Sequence, residues 1–145
     1  MKKNLIAGIM CAFMMTVSAT PVYAAEPAAT DNFEVASVVM LSDGVSRASW
    51  GQGELYCSKP LFSKPQGYAK TVTFAGTAYK VSAQISVKDS NGDTYSSTVK
   101  TETNASEAES ATISSKTSKC TFTGHHRMQD TSTSGWQAGT TTETY

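Results

Sequence analysis

The residues best suited to chemistry form one short cluster, His125-His126-Arg127, with Asp130 close behind it. Imidazole and carboxylate groups bind transition metals, but a metal site needs at least three converging ligands. Neighbouring side chains on a strand point to opposite faces, so both imidazoles could reach one ion only if Gly124 introduced a bulge. The alternation instead predicts one His in a polar surface row and the other partly buried. We therefore predict no metal ligands and no cofactor.

Other catalytic signatures are missing from the sequence. It contains no Gly-x-Ser-x-Gly nucleophile motif, no phosphate-binding loop and no dinucleotide-binding glycine pattern. Serines are so abundant that one near a His carries little information. A small hydrolase or metal-dependent enzyme that uses His125, His126 and Asp130 is the minor alternative. We predict no catalytic residues, and the chain is expected not to be an enzyme.

The two tryptophans suit a recognition surface. Trp50 lies directly before Gly51-Gln52-Gly53, and Trp136 follows a Thr-Ser-Thr-Ser-Gly turn. An exposed Trp near a strand end can stack on a sugar or anchor a protein partner, although a place in the core is equally compatible with the pattern. The predicted binding residues, for a protein or glycan partner outside the cell, are Trp50, Trp136, His125, His126 and Arg127.

The amino terminus has the pattern of a cleaved signal peptide. Lys2 and Lys3 precede an apolar run of 13 residues, 5–17, and Val22-Tyr23-Ala24 forms a small-residue cleavage site. A membrane-spanning helix needs about 20 apolar residues, so the run is too short to be an anchor. The pattern predicts a secreted protein of bacterial type, cleaved after Ala24. The domains are then a signal peptide at 1–24, a flexible lead-in at 25–32 and one β-rich domain at 33–145.

The charge balance argues against two classes of partner. The whole chain has 12 Lys and Arg residues against 12 Asp and Glu residues, and the basic residues do not cluster. Binding to nucleic acid depends on several Lys and Arg contacts to phosphate, so we predict no nucleic-acid partner. No apolar run in the predicted mature chain is long enough to span a membrane.

Two cysteines, Cys57 and Cys120, remain after removal of the signal peptide, which carries Cys11. In an exported protein such a pair usually forms a disulfide, and on the chain-entropy model a loop of this length gains about 4 kcal/mol. Large aliphatic residues are scarce and Ser and Thr are abundant, so the domain is expected to have a thin core that needs this crosslink. A metal or redox role is disfavoured because neither cysteine lies in a Cys-x-x-Cys motif.

Alternating apolar and polar residues predict an all-β fold. The clearest case is 79–87, followed by Asn91-Gly92, which is the strongest short hairpin signal. Gly51-Gln52-Gly53 is expected to break a strand. The window 104–111 is the only one compatible with a helix, although it is short and could equally be a loop. We predict a small antiparallel β-sandwich or barrel of about seven to eight short strands, at 33–41, 45–50, 54–58, 68–75, 79–87, 94–103, 112–128 and 136–145.

These observations favour a small secreted, non-enzymatic β-domain that acts as a binding or surface-interaction module. The combination of a signal peptide, a small β-rich domain, a His-containing strand and a Trp-bearing carboxyl-terminal segment loosely resembles small secreted bacterial proteins, including the lactococcin-type bacteriocins. This resemblance is architectural and covers no diagnostic motif. It implies an alternative function, a bacteriocin-like effector that acts on neighbouring cells.

Overall fold

Residues 32–42, 50–74 and 76–145 are described by a computed structural model of the chain and belong to one compact unit. The predicted signal peptide, nearly all of the lead-in and the strand predicted at 45–50, except Trp50, lie outside these residues. The described part contains strands, turns and irregular segments but no helix. No segment of that part therefore forms a helix able to cross a membrane.

The described residues form ten strands, more than the seven or eight predicted, because the segments predicted as single strands at 94–103 and 112–128 each divide into two and 107–109 forms a further short strand. In chain order they are β1 (Glu34–Leu41), β2 (Gly51–Ser58), β3 (Gln66–Thr73), β4 (Ala78–Asp89), β5 (Thr94–Ser96), β6 (Lys100–Ala105), β7 (Glu107–Glu109), β8 (Ile113–Ser114), β9 (Cys120–Gln129) and β10 (Gln137–Thr144).

The strands form two five-stranded antiparallel sheets rather than a closed barrel. In the first sheet the order is β1-β2-β3-β7, and β8 pairs with another part of β3. In the second sheet the order is β10-β9-β4-β5, and β6 also pairs with β4. The buried faces of both sheets contribute to one hydrophobic core. The prediction of an all-β antiparallel fold is confirmed.

The core follows the alternation on β4 and β9. The inward-facing residues of β4 are fully buried at Val81, Ala83, Ile85 and Val87, as the period of two predicted. On β9 the buried positions are Cys120, Phe122, Gly124, His126 and Met128. Apart from Ser82, which is also buried, the residues between them are half-buried or exposed, so each strand has one face in the core and one mainly towards solvent.

The hairpin predicted at Asn91-Gly92 connects β4 to β5. Gly92 has a φ of 90°, which is in the left-handed region that favours glycine. The Asp89 carboxylate accepts hydrogen bonds from the backbone N–H groups of Asn91 (2.9 Å) and Asp93 (3.1 Å). These bonds fix the turn, and the returning chain continues the sheet as β5 and then β6.

Two local predictions are wrong. Gly51 and Gly53 do not break a strand but lie inside β2, paired with β1 and β3. The window 104–111 is neither of the two predicted alternatives, a short helix or a loop, because it holds the end of β6 and all of β7. Asn104, at a φ of 53°, is the penultimate residue of β6, just before the chain passes to β7 of the other sheet, and Asn tolerates this left-handed conformation better than most residues.

Candidate binding surface

The two neighbouring histidines of β9 lie on opposite faces of the second sheet. His126 is fully buried in the core, whereas His125 is half-buried on the outer face. The His125 Nε2 atom lies 3.2 Å from the Ser86 hydroxyl of β4. Strand geometry therefore separates the two imidazoles, and the described residues hold no group of three His, Cys, Asp or Glu side chains close enough to bind a metal.

His126 has a hydrogen-bond partner on each ring nitrogen. Its Nδ1 lies 3.1 Å from the hydroxyl of Thr71 on β3, and its Nε2 lies 2.8 Å from the hydroxyl of Thr141 on β10. The Thr71 hydroxyl donates its own proton to the Ser82 carbonyl at 2.9 Å, so it must accept from Nδ1–H. Nε2 then accepts the Thr141 proton, and this neutral tautomer joins the two sheets across the core.

Two glycines make room for the His126 ring. A Cβ atom on Gly53 would lie 2.1 Å from His126 Cγ, and one on Gly124 would lie 2.7 Å from His126 Nε2. Neither position accepts a side chain without displacement of the imidazole. A glycine inside a strand is a known sign of such a close approach, and this signal was available in the sequence.

Burial and, to a smaller extent, the nearby His125 together lower the pKa of His126 to about 4. Glu54 and a backbone hydrogen bond to Lys70 act in the opposite direction but do not restore the ordinary value. The imidazole is therefore neutral near neutral pH. Since the ring is sealed from solvent and both nitrogens are satisfied, His126 supports the fold and cannot itself contact a ligand.

The outer face of the second sheet is rich in hydroxyl groups and positively charged. Its central row runs across four strands, from Thr142 on β10 through Thr123 and Ser86 to Ser96 on β5. The outward side chains of β4, β9 and β10 include Lys80, Lys88, Arg127 and His125 but, within the described strands, no carboxylate. We call this surface, on the outward residues of β4, β5, β9 and β10 together with Trp136, the hydroxyl–cation face.

Arg127 and Trp136 form a stacked pair at one end of this face. The guanidinium carbon lies 4.8 Å from the centre of the indole ring, which is the geometry of a cation–π contact. The pairing of β9 with β10 places Ala138 opposite Arg127 and so brings the indole within reach. Trp136 keeps 38% of its surface exposed. Three of the five predicted binding residues, His125, Arg127 and Trp136, thus share one surface.

Trp50 lies elsewhere and is packed against the core. Its backbone N–H donates to the Leu41 carbonyl at 2.9 Å, and its own carbonyl accepts from the Phe74 N–H at 2.9 Å. The residue is therefore part of the framework at the end of the first sheet, where it joins β1 to the chain after β3. It does not meet the other predicted binding residues.

The two cysteines project into the core from different sheets, and the structure holds them as free, buried thiols rather than as the predicted disulfide. Cys57 lies on β2, and Cys120 begins β9. Tyr145 is close to both cysteines. Its side chain forms a hydrogen bond with the Cys57 thiol, and its backbone exchanges two hydrogen bonds with that of Cys120. Burial raises the pKa of Cys57 to about 12, so the thiol is protonated and a poor nucleophile.

The outer face of the first sheet carries a surface that the sequence analysis missed. The rings of Tyr56 and Tyr68 stack with centroids 4.7 Å apart, and Phe33 meets Tyr68 edge-on at 5.1 Å. The Tyr56 hydroxyl donates to Glu54 at 2.7 Å, which raises the pKa of Tyr56 to about 12. Lys70 forms a 2.8 Å ion pair with Glu107.

We call this second surface the carboxylate–aromatic face. Its charged residues are Glu54, Glu107, Glu109 and Lys70, and its aromatic residues are Phe33, Tyr56 and Tyr68. The signal that would have revealed it is the alternation within β2, where Glu54 and Tyr56 lie on the face opposite to Leu55 and Cys57.

The two outer faces of the described sheets therefore differ in their chemistry. One carries hydroxyl groups and cations, and the other carries carboxylates and stacked rings. No protein-family model matches the sequence, and no curated protein and no solved structure is detectably similar to it.

Proposed function

We propose that this protein is a secreted, non-enzymatic β-sandwich domain that binds an anionic glycan through its hydroxyl–cation face. The basic residues Lys2 and Lys3, the apolar run 5–17 and the Val22-Tyr23-Ala24 site support export by a bacterial-type signal peptide cleaved after Ala24. The ligand is then a component of the extracellular space or of a cell surface.

The observation that carries this proposal is the charge pattern of the face. Lys80, Lys88 and Arg127 project from it, and no outward side chain of its described strands is acidic. A polyanion can therefore approach all three cations without meeting a like charge. Lys80 and Lys88 are eight residues apart on β4, a span of about 27 Å at ~3.4 Å per residue. This span suits an extended polymer better than a small molecule.

The remaining side chains of the face suit a sugar. Thr140, Thr142 and Thr123 offer hydroxyl groups that can donate to and accept from glycan hydroxyls. Trp136 adds an exposed apolar ring edge beside the Arg127 guanidinium. Aromatic rings of this kind present an apolar body to the C–H surface of a sugar.

The contact between Ser86 and His125 is the feature of this face that most resembles the Ser–His pair of a hydrolase. Its surroundings nevertheless favour a binding function. A serine nucleophile needs a base that is itself oriented by a third group, usually a carboxylate. His125 lies 3.2 Å from the Ser86 hydroxyl, but the outward residues of the described strands beside it include no carboxylate. Asp130 lies beyond the end of β9, and His126 is sealed inside the core.

The proposal includes a disulfide between Cys57 and Cys120. Both thiols are buried, project inward from opposite sheets and lie beside Tyr145. After export, an oxidised dithiol of a thiol–disulfide oxidoreductase would accept two electrons and two protons from the pair, and the new S–S bond would join the sheets. This crosslink would strengthen a core that contains few large aliphatic side chains.

Titration calorimetry with two forms of one polymer tests the function. Polygalacturonate supplies a carboxylate on each sugar, and its methyl ester is the matched neutral ligand. We expect binding to polygalacturonate that weakens with added salt and is lost with the ester. Trp136→Ala should weaken binding, whereas Lys64→Ala, in the exposed β2–β3 connection, should not. Equal affinity for both polymers would contradict the proposal.

A further inference from the structure

The two outer faces of the molecule carry opposite charge. The carboxylate–aromatic face has three carboxylates, Glu54, Glu107 and Glu109, around the single ammonium of Lys70. The hydroxyl–cation face has Lys80, Lys88 and Arg127 and, among the outward residues of its described strands, no acid. Because these are the outer sides of two sheets that share one core, the charges are separated across the whole domain.

Both faces also carry exposed apolar side chains next to charged ones. On the first sheet, Val35, Val38 and Met40 of the edge strand β1 are each about half exposed, at 50%, 50% and 52%. Val38 lies directly beside Glu54 in the register of β1 with β2. On the second sheet, the Arg127–Trp136 pair likewise combines a charge with an exposed apolar ring. Each face therefore offers a charged group next to an apolar one.

We propose that the carboxylate–aromatic face binds a second copy of this chain through that copy's hydroxyl–cation face. Sheets that pack face to face place acidic groups of one copy against basic groups of the next. The contact joins two different surfaces, so each bound pair leaves one of each face free. Growth by repetition then gives open chains of molecules rather than a closed dimer.

This assembly uses the face to which the proposed function assigns the glycan, so the polyanion and the second copy compete for it. It does not require that a glycan bind, since the acidic partner is the protein itself. Attraction between exposed charges acts over a Debye length of about 10 Å at 0.1 M salt. Self-association should therefore be strongest at low ionic strength and should be reversed by salt or by polygalacturonate.

Sedimentation velocity on the exported protein tests this inference. The weight-average sedimentation coefficient of the wild type should rise with protein concentration at low salt and become constant near 1 M salt, where the Debye length is about 3 Å. Glu109→Lys alone and Arg127→Glu alone should each sediment as monomers. An equimolar mixture of the two variants should associate again, because each altered face then meets an opposite charge.

The controls carry the same charge changes away from both faces. Asp93→Lys, in the exposed hairpin loop, and Lys64→Glu, in the β2–β3 connection, should self-associate like the wild type. If Arg127→Glu fails to fold, as judged by circular dichroism, Lys88→Glu at the exposed end of β4 replaces it. These controls separate the pairing of faces from an effect of net charge.

The outcomes distinguish this inference from the proposed function. A sedimentation coefficient that does not change with wild-type concentration, or a variant mixture that stays monomeric, would overturn self-association and leave glycan binding intact. A wild type that associates but binds no polygalacturonate would retain the inference and remove the proposed function. Glu109→Lys is expected to bind polygalacturonate at least as tightly as the wild type, since it leaves the hydroxyl–cation face unchanged and removes the competing second copy.

Discussion

The core around His126 and the hydroxyl–cation face around His125 lie one residue apart in sequence and behave as different environments. His126 is neutral, fully buried and held by Thr71 and Thr141 from two sheets. His125 is half-buried, lies 3.2 Å from the Ser86 hydroxyl and shares its face with Arg127. The same residue type therefore stabilises the fold on one side of β9 and, on the other side, lies on the face to which we assign the proposed binding.

This contrast predicts that interior changes alter the free energy of unfolding, whereas outer-face changes alter affinity. The interior leaves no room for new atoms, because Gly53 and Gly124 already lie against the imidazole. The outer face has room, and its charges are screened by solvent. The predictions below test the contrast in order of decreasing effect.

The largest expected effect concerns the interior thiols. Oxidation of Cys57 and Cys120 to the proposed disulfide should stabilise the protein by about 4 kcal/mol on the chain-entropy model. The intact mass should be about 2 Da below that of the reduced chain, and reductant should lower the urea midpoint. Cys57→Ser is the control, since reductant should leave its midpoint unchanged. A native mass equal to that of two free thiols would rule out the crosslink.

Gly53→Ala is expected to destabilise the fold by about 3 kcal/mol, because the new methyl group overlaps the His126 ring. Gly135→Ala is the matched control, since no atom lies within 4 Å of a Cβ at that position. Its effect should stay within about 0.5 kcal/mol. Urea denaturation measures the free energy of unfolding of both variants. The double variant Gly53→Ala/His126→Ala should lose less free energy of unfolding than the two single variants lose together.

The stability of the fold should decrease in acid because of His126. Its pKa is about 4 in the folded state against an ordinary value of 6.5, so between these values only the unfolded chain binds the proton. The contribution of His126 to the free energy of unfolding is greatest above pH 6.5. It falls as the pH drops towards 4 and is constant below that value. The loss is about 3 kcal/mol at 1.36 kcal/mol per pKa unit.

Two glutamine variants isolate the His126 contribution from that of the carboxylates, which also titrate in acid. His126→Gln should lose the corresponding part of the pH dependence when urea midpoints are compared across the same range. His125→Gln should keep most of it, because burial, the largest cause of the lowered pKa of His126, is unchanged. Identical pH profiles for the wild type and His126→Gln would show that the buried imidazole is not the source.

Arg127→Ala should have the smallest effect on stability. The guanidinium is exposed, and its contact with the Trp136 ring contributes about 0.5–1 kcal/mol at such a site. The urea midpoint should therefore hardly move. A loss as large as that of Gly53→Ala would show that the outer face is also part of the structural framework.

The alternation of apolar and polar residues predicted those strands in which every second side chain is buried. On β4 the alternation from Val81 to Val87 places every large aliphatic inward, and Asn91-Gly92 fixes the turn that follows. On β9 the same logic placed Cys120 and His126 on one face. These features depend on residues close in sequence, which is why they could be predicted.

The remainder depends on contacts between distant segments. Thr71 is fully buried while its neighbour Val72 is only partly covered, the reverse of their hydrophobicity, because the Thr71 hydroxyl bonds to His126. Gly53 lies within a strand because the same ring needs its space. The Arg127–Trp136 pair exists because β10 returns beside β9. No local pattern contains these pairings.

The most direct test of the contrast between core and face is a calorimetric titration of polygalacturonate into three folded proteins at one pH and salt concentration. The wild type and His126→Gln should bind with the same affinity, because the buried ring cannot reach the ligand. Arg127→Ala should bind about tenfold more weakly, a difference of ~1.4 kcal/mol. A loss of affinity in His126→Gln with none in Arg127→Ala would contradict the assignment of binding to the outer face.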